Sequence, residues 1–294
     1  MGYSPKKIEE LDRFCDQSPW DDFSSFMDDQ TARPIKIIKT GWTSFDENLG
    51  FGGFTNNIVY MLGYSGIGKT FWITNLINRL SRHKILLFSM EMGQRNLMLR
   101  LLMPIFGMHY TKIFDYYLEN KVEFYDKVGE SKIFDNLLID YNIRAWHEME
   151  YIINKVKPEI VIVDYLQWMT DTSGVDENGS IKKNCQELAR LSKDYECNVI
   201  VLTQLRKETQ DHRSQSQGVV CPSANQAYGS TFIRNTADYQ FGLWRPDLSN
   251  NCSEYESNKL YCRCLKTRYD IEGTLKDIVW KYDKKTSILR ESYV

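Results

Sequence analysis

From about residue 41 onward, apolar residues come in short dense runs separated by stretches of helical periodicity. "NIVYML" (57–62), "KILLFSM" (84–90), "NLLID" (136–140), "EIVIVDY" (159–165) and "NVIVLTQ" (198–204) are aliphatic over strand length, the composition of strands covered on both faces. Between them, "KTFWITNLINRL" places Trp72 or Ile73, Leu76, Ile77 and Leu80 on one helical stripe. "IKKNCQELARLSKDYE" does the same with Ile181, Cys185, Leu188 and Ser192. Such alternation predicts an α/β fold, a mainly parallel sheet flanked by helices. Three later segments, "DYQFGLWR" (238–245), "KLYCRCLK" (259–266) and "LKDIVWKY" (275–282), alternate and are joined by short turns, which predicts additional antiparallel strands at the C-terminal side. Residues 1–39 read as a separate acidic segment or linker. It holds a short helix around "SPKKIEELDRFC", then "SPWDDFSSFMDDQTARP", whose turn residues and weak periodicity predict little regular structure.

Composition narrows the class. The chain has 294 residues, enough for one large α/β domain, and no apolar run of the ~18 residues that would span a bilayer. "MGYSPKKIEELDRF" lacks the apolar stretch of a signal peptide, so an intracellular chain with no membrane partner is expected. The seven cysteines form no C-x-x-C pair and the four histidines do not cluster, so no structural zinc is expected. Cys262 and Cys264 share a strand face and read as thiols packed in or near a core. A net charge of −2 excludes a uniformly basic polyanion binder. Charge is nevertheless polarised: residues 1–30 carry eight acids against three bases, and residues 255–294 carry nine bases against six acids.

"GYSGIGKT" (63–70) then brings chemistry into the pattern. An apolar run leads into it and a helical stripe leaves it, and its spacing is that of a phosphate-binding loop. Gly63, Ser65, Gly66 and Gly68 let backbone N–H groups curl around an anion at a helix N-terminus. Lys69 adds a mobile charge and Thr70 a ligand for Mg²⁺. "EIVIVDY" ends its strand in Asp164, a carboxylate able to orient the water shell of the same Mg²⁺. "FSMEM" delivers Glu91 to the same sheet edge, either as the base for an attacking water or as a charge favouring the start of the next helix.

At this point the chain resembles the C-terminal ATPase domain of the DnaB-type replicative helicases, hexameric members of the RecA-like class of P-loop NTPases. The resemblance is carried in order by "TGWTSFDENLGFGGF", "GYSGIGKT", "FSMEM" with "LMLR", "IVIVDYLQWM", "VIVLTQLRK", "GSTFIRNTADYQFGLWR" and "KTRYDIEGT", from about Thr40 to the C-terminus. It implies Glu91 as the water-activating glutamate, Asp164 as the Walker B aspartate and Gln204 as a γ-phosphate sensor. It also implies Lys266 and Arg268 as a pair that reaches into the next subunit's site. Tyr269 and Asp270 intervene before Gly273, where the family has an earlier glycine, and Asn57 stands where a glycine usually precedes the first strand. Residues 1–39 are too few for the family's separate N-terminal domain, which implies a short member or an excised motor domain.

The implied activity is a replicative-type DNA helicase motor using ATP or another NTP with Mg²⁺. Its expected partners are single-stranded DNA, further copies in a ring, a hexamer in line with the family, and other replication proteins. The expected setting is the cytoplasm or another DNA-containing compartment. Segment 1–39 is a candidate contact for a neighbouring subunit. DNA contact is expected from the loop 206–230 through Arg206, Lys207 and Arg213, or from a loop 170–183 that holds Lys182 and Lys183. The alternatives are a monomeric P-loop kinase, a recombinase or KaiC-like regulatory ATPase, and a nucleotide-dependent assembly factor without unwinding activity.

Overall fold

The strand that precedes the phosphate-binding loop, β1 (Ile58–Gly63), lies in mid-sheet and is buried along its whole length. A computed structural model of the chain describes residues 19–32, 34–170, 177–205, 218–227, 229–249, 252–269 and 276–292. Among these, nine strands form one sheet: β2 (Ile85–Ser89), β3 (Leu137–Asp140), β4 (Ile160–Asp164), β5 (Asn198–Gln204), β6 (Tyr239–Trp244), β7 (Lys259–Thr267), β8 (Ile278–Tyr282) and β9 (Leu289–Glu291) join β1 in the order β3-β2-β4-β5-β1-β6-β7-β8-β9. The pairs from β3 through to β6 are parallel, and those from β6 to β9 are antiparallel.

Alternation along β1 splits the core into two layers. Val59 and Met61 join a cluster that includes Trp42, Phe45, Trp72, Phe241 and Trp280. Ile58, Tyr60 and Leu62 join another with Ile181, Cys185 and Leu188. The first cluster is dominated by rings: Phe45 lies 4.9 Å from Phe241 and Trp42 lies 5.1 Å from Trp280, centroid to centroid. The stripe Trp72, Ile73, Leu76, Ile77 and Leu80 is buried as expected, on and just after the helix Lys69–Arg79. Cys262 is buried in the same cluster with Cys264 packed against it, in line with the expected packing of thiols.

Three expectations are corrected. Segment 238–245 yields β6, which pairs with β1 in parallel and is buried at every position, so only the strands after it run antiparallel. Residues 19–32 form a helix, α1, where weak structure was expected. Pro19 opens it, the position at which a fixed φ suits a helix start, and Phe23, Phe26 and Met27 follow at helical spacing, all exposed. The loop expected over 170–183 is shorter, because the helix Glu177–Asp194 already contains Lys182 and Lys183. The short helix expected around residues 4–15 lies outside the described residues. The chain divides into two compact units, 1–37 and 38–294. Among the described residues no helix is long and apolar enough to cross a membrane.

Candidate functional site

Strand register brings the predicted nucleotide residues to one edge. Gly63 at the end of β1 is level with Gln204 at the end of β5, and Asp164 at the end of β4 is level with Ser89 at the end of β2. The phosphate loop, Glu91, Asp164 and Gln204 therefore all leave the sheet at its C-terminal edge, where parallel α/β sheets bind ligands.

The glycines of the loop have backbone reasons to be glycine. Gly66 and Gly68 take φ of 78° and 110°, and a Cβ on Gly63 would stand 2.7 Å from Ile67 Cγ2. A Cβ on Gly66 would meet nothing within 4 Å, so the cradle has open space above it. Lys69 is buried at the start of the helix Lys69–Arg79, its Nζ donating to the carbonyls of Gly63 (2.8 Å) and Tyr64 (3.1 Å). Burial pushes its ammonium down to about 8, against the opposing pull of Glu91 and Asp164. The same amine can turn to phosphate oxygens.

Thr70 Oγ1 donates to Asp164 Oδ2 at 3.2 Å. Asp164 is almost fully buried, and burial, followed by the Glu91 carboxylate, raises its carboxyl to about 6. Its Oδ1 is buried with no hydrogen-bond partner among the described residues. A buried, unpartnered carboxylate oxygen beside a threonine hydroxyl is a hard oxygen donor set of the kind Mg²⁺ takes together with nucleotide phosphates, so the residues fit that ion. Glu91 is exposed at the mouth of the site. Gln204 is held by its backbone: its N–H donates to Gln167 Oε1 and its carbonyl accepts from Gln167 Nε2, both at 3.2 Å.

Beside the loop opens a cavity of about 220 Å³ lined by Gly66, Gly68, Phe71, Arg100, Arg245 and Tyr282. Arg245 lies with its guanidinium carbon 4.6 Å from the centre of the Tyr282 ring, and its Nε pairs with Asp247 at 3.0 Å. The positive charge of Arg100 bears on Asp164. Arg100, Arg245, Tyr282 and Gln167 carry no role in the sequence motifs. Arg100 and Arg245 were visible only as the last residues of "LMLR" and "FGLWR".

Lys266 and Arg268 lie elsewhere. Thr267 is level with Tyr239 at the start of β6, and Arg268 N donates to the Asp238 carbonyl, so the pair stands at the N-terminal edge of the sheet. Lys266 Nζ donates to the carbonyls of Arg234 and Ala237. Arg268 donates to the Asn235 carbonyl at 2.7 Å and stands 3.6 Å from Asp238 Oδ1. About five residues of strand, roughly 17 Å at 3.3 Å per residue, separate this level from that of Gly63. Arg206, Lys207 and Arg213, with Asp270 and Gly273, lie outside the described residues. Among the described residues no cluster of three or more His, Cys, Asp or Glu could hold a metal ion.

A model of the family described as DnaB-like helicase C terminal domain matches residues 37–289. No curated protein sequence matches the chain. Among solved structures, one of an ATPase domain is 19% identical, with a TM-score of 0.75 over 93% of this chain and 98% of that one. A DnaB-like replicative helicase, in a structure describing its interactions with primase, is 18% identical with a TM-score of 0.70 over 93% of this chain and 67% of that one. A KaiC-like protein from the hyperthermophilic archaeon Pyrococcus horikoshii OT3 is 16% identical with a TM-score of 0.56, over 88% of this chain and all of that one. The likeness to these structures shows a shared RecA-like ATPase fold.

Proposed function

The chain belongs to the DnaB-like helicase C-terminal domain family, and on that premise we propose that it is a ring-forming motor coupling ATP hydrolysis to movement along single-stranded DNA. What supports the ring most directly is the separation of two residue sets within one chain. Lys69, Thr70, Glu91 and Asp164 gather at one sheet edge, and Lys266 and Arg268 stand at the other. A pair so placed serves a site only if a neighbouring copy brings its N-terminal edge against this chain's phosphate loop.

In this reading the N–H groups of the loop and Lys69 hold the β- and γ-phosphates, and Arg245 and Tyr282 line the space open to the nucleoside. Arg100 adds positive charge on the phosphate side. Thr70 and Asp164 would hold Mg²⁺, which would supply charge neutralisation for the phosphates. Glu91 takes the proton of the attacking water. Gln204 senses the terminal phosphate, and Gln167 links its strand to the exit of β4. Arg268 of a neighbour stabilises charge in the transition state. Arg206, Lys207 and Arg213 contact DNA phosphates, and segment 1–39 contacts a neighbouring subunit.

The deciding measurement is NTP hydrolysis with and without single-stranded DNA, read together with particle mass and fork unwinding. We expect DNA-stimulated turnover by a particle of about six chains, abolished in Lys69→Ala without loss of fold. A monomer whose turnover ignores DNA would replace this reading with a P-loop kinase. A ring that binds nucleotide without turnover would replace it with an assembly factor.

A further inference from the structure

We propose that the exit of β4 carries a base-stacking contact for single-stranded nucleic acid, built from Trp168 and Arg144; the inference rests on the motor reading above. Trp168 closes the short 3₁₀ turn Leu166–Trp168, four residues beyond Asp164, and the residue is 37% exposed. Tyr165 holds the indole edge-on, with ring centroids 6.1 Å apart at 62°, and accepts a hydrogen bond from Trp168 Nε1. Arg144 lies over the indole, its guanidinium carbon 4.8 Å from the ring centre. The Arg144 carbonyl accepts from Thr170 N at 3.1 Å, which ties the two loops together.

The charge of Arg144 is not neutralised within the chain: among the described residues it has no carboxylate partner. Asp140, four residues before it, is turned instead to the backbone N–H groups of Asn142 (2.8 Å) and Ile143 (2.6 Å). An accessible indole with an unneutralised guanidinium on its face matches both halves of a nucleotide, a flat base and an anionic phosphate. A duplex offers no base face to such a platform, whereas a single strand offers one per nucleotide. The platform also starts four residues from Asp164, so strand contact and nucleotide site share one stiff segment.

The test uses the full chain and a fluorescent oligothymidine, with affinity read by anisotropy over a range of salt and with particle mass and ADP affinity read in parallel. Trp168→Ala should weaken oligonucleotide binding by roughly 5- to 150-fold, the equivalent of the ~1–3 kcal/mol of a stacked base. Trp168→Phe should keep most of it. Arg144→Ala should flatten the salt dependence by about 0.7 in slope, one phosphate contact. Wild-type affinity and slope in Trp168→Ala and Arg144→Ala, beside a wild type that binds and hydrolyses, overturn the platform alone. Equal losses of ADP and oligonucleotide affinity also overturn it, leaving a cation–π pair that only pins two loops. A wild type that binds no oligonucleotide sinks the platform and the motor reading together. If Trp168→Ala does not fold, Trp168→Phe and Arg144→Ala carry the decision.

Discussion

The two edges of the sheet treat their charges in opposite ways. At the C-terminal edge, Lys69 and Asp164 are buried: the ammonium is held by two loop carbonyls, and one carboxylate oxygen has no partner among the described residues. Burial drives both toward their neutral forms, Lys69 down to about 8 and Asp164 up to about 6. At the N-terminal edge, Lys266 sits between two carbonyls, and Arg268 between a carbonyl and Asp238, which also accepts from Ile58 N at 2.9 Å. The C-terminal edge thus keeps one buried carboxylate oxygen unpartnered among the described residues. At the N-terminal edge both cations are engaged within their own chain. To act on a neighbour's phosphates, as proposed above, Arg268 would have to exchange its bonds to the Asn235 carbonyl and Asp238 for phosphate oxygens.

The sharpest way to break that comparison is to separate the edges onto different chains. Lys69→Ala and Arg268→Ala should each be nearly inactive, and a lost arginine finger is typically worth ~10³–10⁵ in rate. Mixed rings contain interfaces that join Arg268 of a Lys69→Ala subunit to Lys69 of an Arg268→Ala subunit, and these are intact. Hydrolysis should therefore return on mixing. Mixed rings verified by co-purification of two tags, with no recovered turnover, would show that Arg268 does not act across an interface.

A smaller effect belongs to Glu91, which tests whether the unsatisfied edge is catalytic or only attractive. Glu91→Gln should keep nucleotide binding and slow turnover by about 10²–10⁴-fold, because the amide has nearly the same shape but takes no proton. Binding and turnover falling together would instead assign Glu91 to the start of the following helix, Gln94–Phe106.

How far the sequence made these edges legible depends on what each residue packs against. The strands β1, β2, β4 and β5 are covered on both faces and so appear as continuous apolar runs. The β6 strand is covered too, yet Gln240 and Gly242 interrupt its run and imitate a half-exposed strand. Gln240 is fully buried, donating to the Ala224 carbonyl at 3.4 Å, and a Cβ on Gly242 would stand 2.7 Å from Pro222 Cγ. Its alternation records a close neighbour, not solvent. The α1 helix was hidden by serines and aspartates that favour turns, and β9 by its three-residue length. The phosphate loop and Asp164 were legible because their chemistry is local in sequence. The cavity of Arg100, Arg245 and Tyr282 was not, because three distant segments meet there only in the folded chain.

The smallest expected effect is on stability, and it should have opposite signs at the two edges. The Asp164 carboxyl lies at about 6, raised from 3.8 by burial and then by Glu91. The folded state therefore binds its proton more tightly than the unfolded state between about pH 4 and 6. Stability falls as pH rises through that window, and the loss persists at neutral pH. A shift of about two units corresponds to ~3 kcal/mol at 1.36 kcal/mol per unit. Asp164→Asn removes the charge but keeps an acceptor for Thr70 and a polar edge where Oδ1 has no partner, so a net gain of about 1–2 kcal/mol is expected at pH 7.5. At pH 4, where the carboxyl is protonated in the folded state, the gain should vanish. Asp238→Ala at the other edge should instead lose about 1–3 kcal/mol, because it strands the Ile58 N–H and removes the carboxylate beside Arg268. Urea melts of both variants at pH 7.5 and pH 4, in chelator to keep metal out, read this directly. Loss of stability in Asp164→Asn at pH 7.5, comparable to that in Asp238→Ala, would mean that the nucleotide edge is as well satisfied as the arginine edge and that the contrast between them is not one of unmet charge.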